Sequence, residues 1–94
     1  MVAGHEIDAD PIEIERKRLR FRSWHRGTRE ADLLLGRFAD AHLDALDAEG
    51  LRGFAALLER ADPDIFDWLT GRCPVPRELD NEVFGLLRRF EVQR

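Results

Sequence analysis
An all-α fold, a compact antiparallel bundle of five helices, is what this sequence predicts. Three observations carry that reading. Leu, Ala, Glu, Asp and Arg dominate, while Tyr is absent and Val and Thr are sparse, a composition of helix formers. Apolar residues recur at three- and four-residue spacing in most segments. Residues that start or stop helices punctuate the chain every 10–20 residues, leaving only short connections between them.

Residues 1–10 read as an acidic, flexible leader, and residues 11–94 as one helical domain. Asp10 suits an N-cap and Pro11 the first helical position, so the first helix is predicted from Pro11 to about Trp24. Its apolar pattern is poor: Ile12 and Leu19 fall on one side, Ile14 and Phe21 nearly opposite, and Ile-Glu-Ile and Leu-Arg-Phe also fit strand alternation. Gly27 breaks the pattern, and a second helix follows from about Thr28 to Leu46, with Leu34, Leu35, Phe38, Ala41, Ala45 and Leu46 as its apolar stripe and a bend expected at Gly36. Asp47 is the expected N-cap of a third helix that runs to about Arg60, with Leu51, Phe54, Leu58 and Ala61 on one face. Asp62 reads as the next N-cap, followed by Pro63 and Asp64, and the short fourth helix ends near Gly71, a residue suited to left-handed termination. Arg72-Cys73-Pro74-Val75-Pro76 is a rigid connector. The fifth helix is predicted from near Pro76 to near Val92, burying Leu79, Val83, Leu86, Leu87 and Phe90.

Size and composition narrow the function. At 94 residues and 44% hydrophobic content the chain has a thin core, with little room for an enclosed active site. No apolar run approaches the ~20 residues that cross a bilayer, and the acidic beginning lacks a signal-peptide core, so a reducing cytoplasm is expected. One cysteine excludes an internal disulfide framework. His5, His25 and His42 are scattered without metal-ligand spacing, and His42 reads as a core or boundary residue. Phosphate-binding glycine loops and nucleophile elbows are absent, and Ser23 and Thr28 have no paired base. Neither a catalytic residue, a metal nor a bound cofactor is expected.

Charge is unevenly placed. Residues 16–29 hold seven of the fifteen basic residues and no acidic one, leaving eight basic and nineteen acidic groups elsewhere, a net of −11. Arg16, Arg18, Arg20 and Arg22 either pair with acidic neighbours or form a docking strip for an acidic partner surface or a phosphate. Within this block Arg26-Gly27-Thr28-Arg29-Glu30 reads as an interhelical turn: with Gly27 as N-cap, Glu30 would occupy the third helical position and reach back to a free N–H. The same geometry describes a protruding tip, with a bare glycine ringed by charged groups and flanked by Trp24 and His25.

The segment Trp24-His25-Arg26-Gly27-Thr28-Arg29-Glu30-Ala31-Asp32-Leu33-Leu34-Leu35, followed about thirty residues later by Asp62-Pro63-Asp64-Ile65-Phe66-Asp67-Trp68-Leu69, closely resembles the SdhE-type succinate dehydrogenase assembly factors, also called FAD assembly factors. The hallmark RGxxE of that family is present as Arg26, Gly27 and Glu30, and the resemblance spans roughly residues 15–90. It implies a small five-helix bundle that is not itself an enzyme. It implies a maturation factor that binds the flavoprotein subunit of succinate dehydrogenase, and in some bacteria of fumarate reductase, and promotes covalent attachment of FAD through its 8α-methyl to a partner histidine. FAD then belongs to the partner, and the factor acts by positioning it. The resemblance makes Arg26, Gly27 and Glu30 the partner contacts, with Arg29, His25 and Trp24 flanking them. The leader lacks the Arg-rich character of a mitochondrial transit peptide, so a bacterial cytoplasmic member is expected. The competing readings are a small nucleic-acid-binding or antitoxin-type regulator, suggested by the basic block, and a helical scaffold for some other protein.

Overall fold
The computed structural model describes residues 10–93, and among these every regular element is helical. Five α-helices follow one another: α1 Pro11–Trp24, α2 Arg29–His42, α3 Ala48–Leu58, α4 Asp62–Leu69 and α5 Glu82–Gln93. Single 3₁₀ turns at Leu43–Ala45 and Arg77–Leu79 follow α2 and precede α5. The expected leader lies outside the described residues except for Asp10.

Local chemistry sets most boundaries. Asp10 Oδ1 accepts from the Ile12 N–H at 3.0 Å and Pro11 opens α1, which settles the helix-or-strand ambiguity of this segment in favour of helix. Asp47 Oδ1 accepts from the Gly50 N–H at 2.8 Å and caps α3. Gly71 takes φ +81 just beyond α4, the left-handed termination expected of it.

Other boundaries differ from expectation. The second helix ends at His42, and a 3₁₀ turn carries the chain to Leu46. The carbonyls of Leu43 and Leu46 there accept from Arg16 Nε and Nη2 of α1, at 3.0 and 2.9 Å. Ala41 and Ala45 are exposed, not part of the apolar stripe. The third helix stops at Leu58, not Arg60, and Ala61 faces water while Leu57 enters the core. The fifth begins at Glu82, not near Pro76. Asn81 Oδ1 accepts from the Phe84 N–H at 3.0 Å, and Leu79 is buried from the preceding 3₁₀ turn. Asp62 is not an N-cap: Ala61 holds that position without a side-chain bond, and Asp62 is the first residue of α4.

Leu19 of α1, Leu34, Leu35 and Phe38 of α2, Leu51, Phe54, Leu57 and Leu58 of α3, Ile65, Trp68 and Leu69 of α4, and Val83, Phe84 and Leu87 of α5 form one hydrophobic cluster. Phe38 packs on Phe54 at 5.4 Å between ring centroids, and on the edge of Phe90 at 5.7 Å. His42 rests against Phe38 and Phe90, the boundary role its position predicts. Gly36 lies inside the uninterrupted helix α2. It lies buried under the Trp24 indole, and a Cβ there would overlap that ring.

Candidate functional site
The turn between α1 and α2 is built by two local devices. Gly27 takes φ +109, a region that strains any residue bearing a Cβ. Thr28 then returns to extended geometry, and its Oγ1 accepts from the Ala31 N–H at 3.3 Å, capping α2. Thr28, not Gly27, is therefore the N-cap, and the glycine is needed one residue earlier, where the chain reverses. Arg29 and Glu30 occupy the first and second helical positions, so Glu30 does not stand at the third helical position expected of it.

Arg26 holds this turn to the rest of the molecule. Its guanidinium donates from Nε to Asp62 Oδ1 at 2.9 Å, from Nη1 to the Leu58 carbonyl at 2.7 Å and from Nη2 to the Arg60 carbonyl at 2.7 Å. Nη2 also lies 2.8 Å from Asp62 Oδ1, and the two side chains are only 11% and 17% exposed. The Arg26 backbone N–H donates to Asp32 Oδ1 at 2.6 Å. One planar cation thus closes the carbonyl end of α3, where the helix dipole is negative, and meets the first carboxylate of α4.

The same device recurs. Arg16 takes the carbonyls after α2, and Arg88 Nη2 donates to the Trp68 carbonyl near the end of α4 at 3.2 Å. Arg20 meets Asp40 at 3.1 Å and Asp44 at 3.5 Å, and Arg22 meets Glu59 at 2.9 Å. Much of the basic block is therefore spent on internal struts, which favours the pairing reading of Arg16, Arg20 and Arg22 over a continuous cationic strip. Arg18 is the exception, with most of its side chain in water and Glu15 at 3.4 Å.

Around the fixed Arg26 the other predicted residues face outward. Gly27, Thr28, Arg29, Glu30 and His25 are exposed, and nothing lies within 4 Å of where a Gly27 Cβ would stand. His25 stacks on Phe21 with ring centroids 3.9 Å apart, and its Nδ1 lies 2.6 Å from the Phe21 carbonyl. Trp24 is half-buried, its indole laid on Gly36 and its Nε1 donating to Asp40 Oδ1 at 3.4 Å. The turn thus brings Gly27, Arg29, Glu30 and His25 to one outer surface and turns Arg26 and most of Trp24 inward. Sequence reasoning missed the anchors Asp32 and Asp62 and the seat Gly36. An acidic residue beside a proline reads as a cap, and no local signal distinguishes it from a long-range partner.

In the second block, Trp68 and Ile65 are buried and Phe66 packs partly against the core, so its apolar side chains are structural. Cys73 is exposed. Among the described residues no helix is long and apolar enough to cross a membrane, and no group of three or more His, Cys, Asp or Glu side chains is placed to hold a metal ion.

The model of one family, described as flavinator of succinate dehydrogenase, matches residues 17–91. The FAD assembly factor SdhE of Acetobacter pasteurianus is 46% identical over 84 residues, covering 89% of this chain and 74% of its own. Succinate dehydrogenase assembly factor 2, mitochondrial, of Dictyostelium discoideum is 43% identical over 85 residues, 88% of this chain and 60% of that protein. The protein of the same name from Aedes aegypti is 38% identical over 81 residues, 84% of this chain but 50% of its own. The chain therefore spans half to three-fifths of these two mitochondrial relatives. The matched region runs from the middle of α1 through the Gly27 turn into the last turn of α5, and on that extent the chain belongs to the family of succinate dehydrogenase flavinators.

Proposed function
We propose that this chain is a maturation factor that binds the flavoprotein subunit of succinate dehydrogenase, and of fumarate reductase where one is present, and promotes covalent attachment of FAD to it. Membership of the flavinator family is the observation that carries this reading. The factor supplies no catalytic residue and holds no flavin. The bond would form between a nitrogen of the partner's histidine and the 8α carbon of its FAD, the C–H and N–H hydrogens leaving as protons and the electron pair staying on the isoalloxazine as reduced flavin, while the factor holds the partner in the reactive geometry. Positioning of that kind is worth several kcal/mol of barrier.

The contact surface is the outward part of the α1–α2 turn. Gly27 lets the partner's backbone approach closely, and Glu30 and Arg29 offer charged hydrogen bonds beside it. His25 and the exposed edge of Trp24 flank them. Arg29 adds support to this reading. A cation at the first position of a helix opposes the helix dipole, so the fold gains nothing from it there. Arg26 serves the same surface from behind, as the strut that fixes its shape. The chain works in the cytoplasm of a bacterium, in line with its likeness to the Acetobacter protein. The basic block favours no nucleic acid, because several of its arginines are already committed to carboxylates and carbonyls within the chain.

Covalent flavin on the dehydrogenase subunit, read as in-gel fluorescence after denaturation, tests the proposal. A strain lacking this chain should show a dark subunit, and restoring the chain should restore the signal. Equal fluorescence in both strains would overturn it.

A further inference from the structure
The outer face of α1 carries a feature that the struts do not use and that meets the Gly27 turn only at His25. Ile14, Arg18, Phe21 and His25 recur at spacings of four, three and four residues, so they share one side of the helix, with Lys17 at its edge. On the opposite side Leu19 and Ser23 are fully buried. Phe21 is 63% exposed and Ile14 46%, the two exposed large apolar side chains of this helix. Every charged side chain on the stripe is cationic. Glu13 lies off to one flank and pairs with Arg16, and Glu15 lies off to the other, beside Arg18. His25 stacks on Phe21 and is two residues from Gly27, so the stripe runs without interruption into the exposed turn.

Resting on the function proposed above, we infer that this stripe is a second docking strip for the same flavoprotein subunit, and that it seats an acidic surface patch of that protein with an apolar centre. Continuity and charge select this occupant. A protein pressed on the Gly27 turn lies against His25 and Phe21 next. Two copies of the stripe facing one another would oppose cation to cation, which is costly at an interface. Two apolar side chains give too little buried area to hold the chain on a lipid surface. Phe21 in the middle of the stripe has the character of an interface anchor, an aromatic ring whose removal costs binding far more than its neighbours' removal does.

The test measures the affinity of the full chain for the purified flavoprotein subunit of succinate dehydrogenase before flavinylation, with Phe21→Ser, Lys17→Glu/Arg18→Glu and Glu30→Ala compared with wild type. Phe21→Ser should weaken binding by about tenfold or more with an unchanged helical circular dichroism spectrum, since the ring buries little in the free chain. Lys17→Glu/Arg18→Glu should weaken binding and flatten its dependence on salt. If Glu30→Ala weakens binding while both stripe variants bind like wild type, the stripe is not a docking site although the turn is. If wild type itself does not bind, the function proposed above fails and the stripe fails with it. Loss of self-association in sedimentation, or loss of binding to vesicles of anionic lipid, with capture of the subunit unaltered, would reassign the stripe and overturn the inference.

Discussion

Removing the Arg26 side chain should be among the most damaging single changes outside the apolar core. Arg26→Ala deletes three side-chain hydrogen bonds that a charged donor makes at 2.7–2.9 Å. It leaves the Asp62 carboxylate, 17% exposed, without its cation, and it leaves the carbonyls of Leu58 and Arg60 without their donor. Stripping one partner from a well-buried ion pair costs about 3–5 kcal/mol. Asp62 retains some access to water, which brings the expected loss to about 3 kcal/mol. For a domain of this size each kcal/mol lowers Tm by roughly 4–8 °C, so the fall should be about 12–24 °C by circular dichroism. A double-mutant cycle isolates the pair: Asp62→Ala should couple to Arg26→Ala by ~1 kcal/mol or more. Arg26→Lys should recover only part of the loss, because an ammonium cannot serve three acceptors in the plane of the guanidinium. A Tm within about 2 °C of wild type for Arg26→Ala, or independent effects of the two substitutions, would refute the strut.

Further outcomes follow from the same structure. Gly36→Ala should displace the Trp24 indole, lower stability by about 1–3 kcal/mol and shift tryptophan fluorescence, whereas a true bend glycine would leave Trp24 in place. Trp68→Ala should lose about 3–5 kcal/mol in denaturant melts, because its side chain is buried in the cluster. The Glu78 carboxyl is held below its ordinary value by a backbone hydrogen bond, with help from Arg60 at 3.0 Å. Its folded pKa is depressed, so its contribution to stability is present above the ordinary carboxylate range and is lost only as pH falls through the lower value. A carbon-detected NMR titration should place the Glu78 midpoint below the ordinary glutamate value, and a midpoint at or above that value would contradict the assignment.

Features governed by neighbours in sequence were legible from the sequence. Asp10 before Pro11, Asp47 before α3 and Gly71 after α4 act within one turn of themselves, and each does what its residue type suggests. Trp68, Leu34 and Phe38 were legible as core because burial follows apolar spacing. What failed was set by distant partners. Asp62 looks like a cap, but a guanidinium from 36 positions earlier claims its carboxylate. Gly36 carries no local sign that an indole from α1 needs its missing Cβ. The ends of α2 and α3 fall short of their apolar patterns where Arg16 and Arg26 take the last carbonyls. The basic block itself could not be apportioned from sequence, since an arginine that closes a neighbouring helix and one that faces solvent are the same letter. The turn was found because Gly27 and Glu30 stand at a recognisable spacing. That Arg26 faces inward while Arg29 faces outward was not legible, because only packing against α3 and α4 separates them.

The central claim divides the α1–α2 turn into a strut behind and a contact surface in front. It is tested most directly by measuring, for Glu30→Ala, both the melting temperature of the chain and the rate at which the dehydrogenase subunit acquires covalent flavin. The account predicts a melting temperature within a few degrees of wild type and flavinylation slowed by an order of magnitude or more. Flavinylation at the wild-type rate on an intact fold would contradict it, as would a loss of flavinylation that merely tracks unfolding of the chain.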